Sequence, residues 1–309
     1  MNDQEKYLFD LRGYLVVKNA LNKSQVDDLS MRFENNHAAY TLGFCGSDRT
    51  HFRHAEDLAW SSSSLLELGG SYVDLIDLPT IAPYLETILG PHYRLDHDYL
   101  KVDRKPPKGD AAGFKKSELF LHGGGQGAGR GRDIVGPHDG GQCYYRYNND
   151  KIYNGLVAVA FELKAVRPGD GGFACVPGSH KANFGLPEEW RVSRTQEEIN
   201  ECVDRVAARA GDAIIFTEAC AHGTIPWIGS DERWTIFYKY CPHAVAWSPC
   251  FYNSDNYTGL TQSQYEMLMP PSAYGPHPHT RGIWQKAQQE QAELKRLRLQ
   301  KEITQKNAV

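Results

Sequence analysis

The sequence predicts an all-β jelly-roll core with flanking α-helices, organised as one domain over residues 1–309. Three observations carry that expectation. Between Tyr93 and Tyr240 the apolar residues fall in short alternating runs divided by Gly and Pro, which suits the strands of a sandwich or barrel. Helical periodicity is confined to the stretches before and after them. With 309 residues and 41% hydrophobic composition, the chain has enough apolar side chain for one sizeable core.

The elements follow in order. Gly13-Tyr14-Leu15-Val16-Val17 is a short apolar strand. Ser24 with Asp27 has the spacing of a capping box, and Val26, Leu29 and Phe33 follow at helical spacing, so a helix is expected from about Gln25 to His37. A second helix is expected from Pro79 to Leu89, with Gly90 at its end. The strands are Tyr93 to Val102, Ser117 to His122, Leu156 to Leu163, Gly172 to Val176, Arg205 to Ala207, Ala213 to Phe216 and Trp234 to Tyr240. A polar extension over about 282–309 is rich in helix formers and carries Leu294, Leu297 and Leu299. It is expected to be a solvated terminal helix, with a partner-binding helix as the alternative.

A net charge of −4 and a pI near 6.3 give no electrostatic footprint for a nucleic-acid polymer or an anionic membrane. The polar N-terminus and the lack of an apolar run of spanning length lead to the expectation of a soluble, cytoplasmic protein. Seven scattered cysteines without a C-x-x-C pair suit reduced packing residues. Lys101, Arg104, Lys105, Lys108, Lys115, Lys116, Arg130 and Arg132 form a local basic contrast. Such clusters are ordinarily solvated loop faces. The sharper reading is a small anionic substrate drawn to loops around the barrel mouth, with Arg130 and Arg132 as candidate contacts.

The Gly-rich run after His122 is not a nucleotide motif, because it has no G-x-x-x-x-G-K-[ST] and no G-x-G-x-x-G between a strand and a helix. The stronger pattern lies further on. Gly169-Asp170-Gly171-Gly172-Phe173 leads into Pro177-Gly178-Ser179-His180. Gly211-Asp212-Ala213-Ile214-Ile215-Phe216 follows, then His222, then Arg233. A His and an Arg on neighbouring antiparallel strands can face one interior and hold a metal and a dicarboxylate between them.

This order of motifs resembles the phytanoyl-CoA dioxygenase superfamily of iron(II) and 2-oxoglutarate enzymes over roughly Leu8 to Tyr240. The resemblance implies a cupin-like double-stranded β-helix and a His-x-Asp/Glu…His iron site. By position it makes His222 the distal ligand, Arg233 the salt-bridge partner of the 2-oxoglutarate carboxylate and Thr224 a hydroxyl contact to it. The proximal ligand is His122 or His138. Neighbouring strand residues point to opposite faces whereas i and i+2 share one, so His138-Asp139 chelates poorly and His122 is preferred. His138 then becomes a loop residue within reach of substrate.

With His122 as ligand, Gly124 stands where the carboxylate is due. Iron and 2-oxoglutarate halogenases resemble this arrangement, with chloride bound where the side chain is missing. The alternatives are a carboxylate from elsewhere, Asp139 first, or an inactive site. The resemblance therefore implies an enzyme using iron(II), 2-oxoglutarate, O₂ and chloride to halogenate an unactivated carbon of a small anionic molecule. One substrate this suggests is a deoxyadenosine monophosphate, on which nucleotide halogenases of chlorinated pentostatin-type antibiotic pathways act. A hydroxylase of the same family is the runner-up, and a metal-free binding barrel the rival from another class. His180 is expected to fix its turn, Pro276-His277-Pro278-His279 to be a surface loop, and Trp227, Trp234 and Tyr238 to be core.

Overall fold

The structure is a computed structural model that describes residues 1–36, 65–104, 118–123, 143–247 and 252–273, together with short stretches at 43–44, 47–50 and 59–63 and residues 275, 276, 293 and 297. Gly124, Arg130, Arg132, His138, Asp139, His277 and His279 lie outside the described residues, as does nearly all of the 282–309 extension.

Two antiparallel sheets make the core. The larger has six strands in the order Tyr14–Val17, Ala213–Thr217, Val157–Glu162, Arg233–Pro242, Tyr93–Asp103 and Ala59–Ser63. The smaller places Gly172–Cys175 between Asp204–Arg205 and His222–Ile225. An isolated antiparallel bridge between His122 and His222 adds the end of the Leu119–Phe120 strand to that second layer. This is a jelly roll, as the alternating runs predicted.

Alternation sorts the side chains between two buried faces. Val157, Val159 and Phe161 pack outward with Ile215, Ile236 and Tyr238 beneath the helices, where Phe9, Leu29, Phe33, Leu85 and Ile88 cover them. Ala158 and Ala160 point the other way, into a smaller cluster with Tyr14, Phe173, Ile214, Phe216 and Phe237 between the sheets. Because both faces are covered, all six residues of Val157–Glu162 are buried and the strand reads as an unbroken apolar run. The small alanines on the inner face leave room at one end of the sandwich.

The helices Asp3–Arg12 and Lys23–Asn36 begin where side chains satisfy their first amides, and the expected helix starts need correcting. The second helix spans Lys23–Asn36, and its cap is Asn22. Gln25 N–H donates to Asn22 Oδ1 at 2.9 Å, and Asn22 N–H donates to Gln25 Oε1 at 3.0 Å. Asp27 instead pairs with Lys23 at 2.6 Å, so Ser24 and Asp27 are not the box. The later helix spans Ala82–Leu89 with a proline in its first turn, Pro83 and not Pro79. An unexpected helix, Asp3–Arg12, is capped by Asn2 with Glu5 and stops at Gly13, whose φ of 82° suits glycine. Also unexpected is the hairpin Tyr145–Asn148/Lys151–Asn154, turned by Asn149 and Asp150 at φ 50° and 58°.

His180 does fix its turn: its Nε2 pairs with the Asp10 carbonyl at 3.0 Å and its ring meets Tyr145 edge-on. Trp227, Trp234 and Tyr238 are buried, and the described cysteines are free thiols. No helix among the described residues is long and apolar enough to cross a membrane.

Candidate metal centre

The backbone itself brings His122 and His222 together. They form a hydrogen-bonded antiparallel pair, His122 N–H donating to the His222 carbonyl at 2.9 Å and His222 N–H to the His122 carbonyl at 2.8 Å. Such partners project to the same side, and the two imidazole centroids are 4.2 Å apart at 61°. Phe216 and Phe173 flank the His222 ring at 4.8 and 6.3 Å.

The residues around the pair explain its tightness. Gly123 has φ 75°, and a Cβ there would lie 2.6 Å from the Glu218 carbonyl and 2.7 Å from that of Cys220. Only glycine lets the strand end approach the 217–222 turn so closely. That turn is held by Glu218 N–H donating to the Leu156 carbonyl and Thr217 Oγ1 donating to Asn154 Oδ1. His222 Nδ1 lies 2.7 Å from the Cys220 carbonyl. A carbonyl only accepts, so Nδ1 carries the proton and Nε2 presents its lone pair.

Glu218 aims at that lone pair. Its Oε2 is 3.5 Å from His222 Nε2, and its Oε1 forms an ion pair with Lys239 Nζ at 2.7 Å, off the direction of an aligned hydrogen bond. One ligand atom each from His122, Glu218 and His222 falls within 4.8 Å of the others. Protonation states suit metal binding. Burial, with the neighbouring His222 next, lowers the His122 pKa to about 3, although one edge of its ring is exposed. Burial alone would raise Glu218, but Lys239 and the two imidazoles outweigh it and bring it down to about 2. Burial likewise opposes the charge on Lys239, and Glu218 more than restores it. Two imidazoles and one carboxylate are the donor set of a non-haem iron(II) facial triad, so the residues fit that metal.

The site opens on a cavity of about 340 Å³, within the range of small-molecule sites. Tyr99, Phe173, Phe216 and Phe237 supply its apolar walls, and Lys101, Thr224 and Lys239 its polar points. Lys101 Nζ donates to Thr224 Oγ1 at 2.9 Å and lies 3.1 Å from Asp103 Oδ1. Thr224 stands two residues beyond His222 on one strand, so it shares a face with the metal ligand about 6.8 Å along.

Arg233 is placed differently from the role that the motif suggests. It is 1% exposed and is not among the residues lining the cavity. Its Nη1 donates to Asp103 Oδ2 at 2.9 Å and its Nη2 to Glu162 Oε1 at 2.6 Å, while Thr235 Oγ1 holds the other Glu162 oxygen. Two carboxylates already neutralise it, and the cation that faces the cavity near Thr224 is Lys101.

Comparison with known proteins follows the same lines. Residues 124–234 match the phytanoyl-CoA dioxygenase (PhyH) family. This segment belongs to that family. Phytanoyl-CoA dioxygenase-like proteins are iron- and 2-oxoglutarate-dependent oxidoreductases, and the segment assigns the chain to that enzyme class. It starts two residues after His122 and contains Glu218, His222 and Arg233. No curated protein matches the sequence. Among solved structures, HygX from Streptomyces hygroscopicus with nickel and 2-oxoglutarate bound is 22% identical, with a TM-score of 0.61 over 78% of this chain and 87% of that one. The epimerase SnoN, in complex with Fe³⁺, alpha ketoglutarate and nogalamycin RO, is 16% identical, with a TM-score of 0.54 over 80% and 86%. AviO1 from Streptomyces viridochromogenes Tue57 is 19% identical, with a TM-score of 0.50 over 79% and 96%. At these identities the likeness is one of fold.

The structure thus joins His122, His222 and Thr224 in one cavity and keeps Arg233 behind its wall. Glu218, Lys101 and Lys239 were not singled out as site residues from the sequence. A signal for Glu218 was present in Thr217-Glu218-Ala219-Cys220-Ala221-His222, a carboxylate one short turn before a metal-ligand histidine.

Proposed function

We propose that this chain is an iron(II)- and 2-oxoglutarate-dependent oxygenase acting on a small molecule. The observation that carries the reading is the cavity's two ends. One end gathers the His122 and His222 imidazoles beside an ionised carboxylate, and the other presents Lys101 with Thr224. Iron bound there supplies activation of O₂ coupled to decarboxylation of the 2-oxo acid. The protein's part is positioning: His122 and His222 hold the metal, and Lys101 with the Thr224 hydroxyl orients the distal carboxylate of the co-substrate. The apolar walls from Tyr99, Phe173 and Phe237 exclude water around the reacting carbon.

The substrate reading is a small, anionic metabolite of antibiotic type. HygX is found with hygromycin B and SnoN with nogalamycin RO, and the anionic character is read from the basic residues Arg104, Arg130 and Arg132 of the sequence. A nucleotide such as a deoxyadenosine monophosphate is one member of that class. Chlorination is the second reading, and the feature favouring it is Gly124, two residues after His122 in the position due a carboxylate.

The test is anaerobic reconstitution with iron(II) and 2-oxoglutarate, followed by O₂ with and without chloride, over a panel of anionic small molecules. Succinate formation coupled to a product one oxygen atom heavier supports the oxygenase. A product with the chlorine isotope pattern establishes the halogenase instead. Absence of iron binding together with absence of succinate removes both and leaves a binding barrel.

A further inference from the structure

The position of Glu218 goes beyond the motif that led to the site. We propose that Glu218 supplies the carboxylate of the metal site from four residues before His222, in place of the position two after His122, and that Lys239 holds that carboxylate in register. The inference deepens the oxygenase reading, and rests on it only for the identity of the metal.

The argument begins with what faces what. His222 Nδ1 faces the Cys220 carbonyl at 2.7 Å, which turns Nε2 toward Glu218, whose Oε2 lies 3.5 Å away. A metal ion between the two is bound by an imidazole nitrogen on one side and a carboxylate oxygen on the other. The separation suits such an ion. Cis donors at about 2.1 Å from one octahedral metal stand about 3 Å apart, so a small adjustment closes the gap. His122 brings the third ligand atom within the same 4.8 Å.

The carboxylate is also built in, as a ligand needs to be. Glu218 is 6% exposed, its amide is bound by the Leu156 carbonyl, and its own carbonyl packs against Gly123. Lys239 comes from the Arg233–Pro242 strand of the larger sheet, which also holds the Ala213–Thr217 strand leading into Glu218, and takes Oε1 at 2.7 Å, leaving Oε2 for the metal. Lys239 is held in turn over the Tyr99 ring, 5.4 Å from its centroid. One oxygen on a fixed ammonium and one on the ion gives a monodentate ligand of defined orientation. Among the described residues this is the one group of histidines and acids close enough to hold a metal. With the protein filling this position, the glycine two after His122 no longer implies a gap for halide.

Anaerobic titration calorimetry of the whole chain with Fe(II), and the absorption spectrum of the Co(II)-loaded protein, test the assignment. Glu218→Gln is expected to weaken Fe(II) binding at least about 100-fold, the upper end of what losing even an outer-shell partner costs, and to change the Co(II) spectrum. Asp139→Asn is expected to leave both within about twofold. Formate added to Glu218→Ala is expected to restore metal affinity, which a purely structural carboxylate would not allow; no restoration overturns the proposal. Normal iron binding by Glu218→Gln, with loss in Asp139→Asn, overturns it too while keeping the oxygenase. If His122→Ala and His222→Ala also bind Fe(II) like the parent, the iron reading itself falls.

Discussion

Gly123 shows how a single missing side chain shapes the centre. An alanine at this position meets two carbonyls of the turn bearing Glu218 and must hold a left-handed φ of 75°, which alone costs about 1–2 kcal/mol. Gly123→Ala is therefore expected to lower the melting temperature and to weaken iron binding together, because the strain falls on the ligand turn. Parent-like iron affinity in a folded Gly123→Ala protein would contradict this account. Arg233 and Lys101 separate in the opposite sense. Arg233→Met leaves the buried Glu162 without its cation and Asp103 with Lys101 alone, a loss on the order of 3–5 kcal/mol that urea unfolding can read. Lys101, with a more exposed side chain, contributes little to stability, so Lys101→Met is expected to keep the parent's urea midpoint yet lose 2-oxoglutarate affinity in calorimetry. At this scale His222 was named through the family resemblance and His122 preferred to His138 through strand alternation, and the structure brings the two rings together. Arg233's partners were not legible in the sequence. Glu162 and Asp103 stand 71 and 130 residues away, and only the sheet register brings them to it.

The strands of the core were largely visible in the sequence because each carries its apolar residues in a run that only a buried sheet explains. Helix starts were less so, since several Ser, Thr, Asn and Asp residues compete as caps, and hydrogen-bond geometry chose Asn22 over Ser24. The Gly211-Asp212 step shows an element doing more than its motif suggests. Asp212 accepts from the backbone amides of Asn19 and Arg209 and pairs with Lys18, tying the first strand's exit to the 213–217 strand. Burial, the largest single influence, would raise its pKa, but those donors together hold it below the ordinary carboxylate value. A depressed folded pKa means stabilisation that is complete above the unfolded value, about 4, and is lost as pH falls through the folded one. The stability gap between parent and Asp212→Asn should accordingly be widest near neutrality and shrink on acidification below about pH 4. A gap that stays constant with pH would assign the effect to packing.

The whole molecule is an enclosure with two lids of different make. Helices seal the outer face of the larger sheet with leucine and phenylalanine, whereas at one end of the inner face the described residues include the His122–His222 bridge. The jelly roll could be anticipated from the alternating runs and the glycines and prolines that divide them. The sealing of Arg233 and the arrival of Lys239 could not, because both depend on which strands the larger sheet sets side by side. The way the domain assembles has a consequence for how the chain would take up a metal. The two histidines stand a hundred residues apart and meet only when the first and last parts of the domain have closed, so an unfolded chain offers iron no equivalent grip. Metal binding then acts as a rivet driven after assembly. Saturating Fe(II) at about 100 times its dissociation constant should add about 2.7 kcal/mol to folding stability. The amide protons of His122 and His222, each bonded to the other residue's carbonyl, should be among those whose exchange slows most when the ion is added.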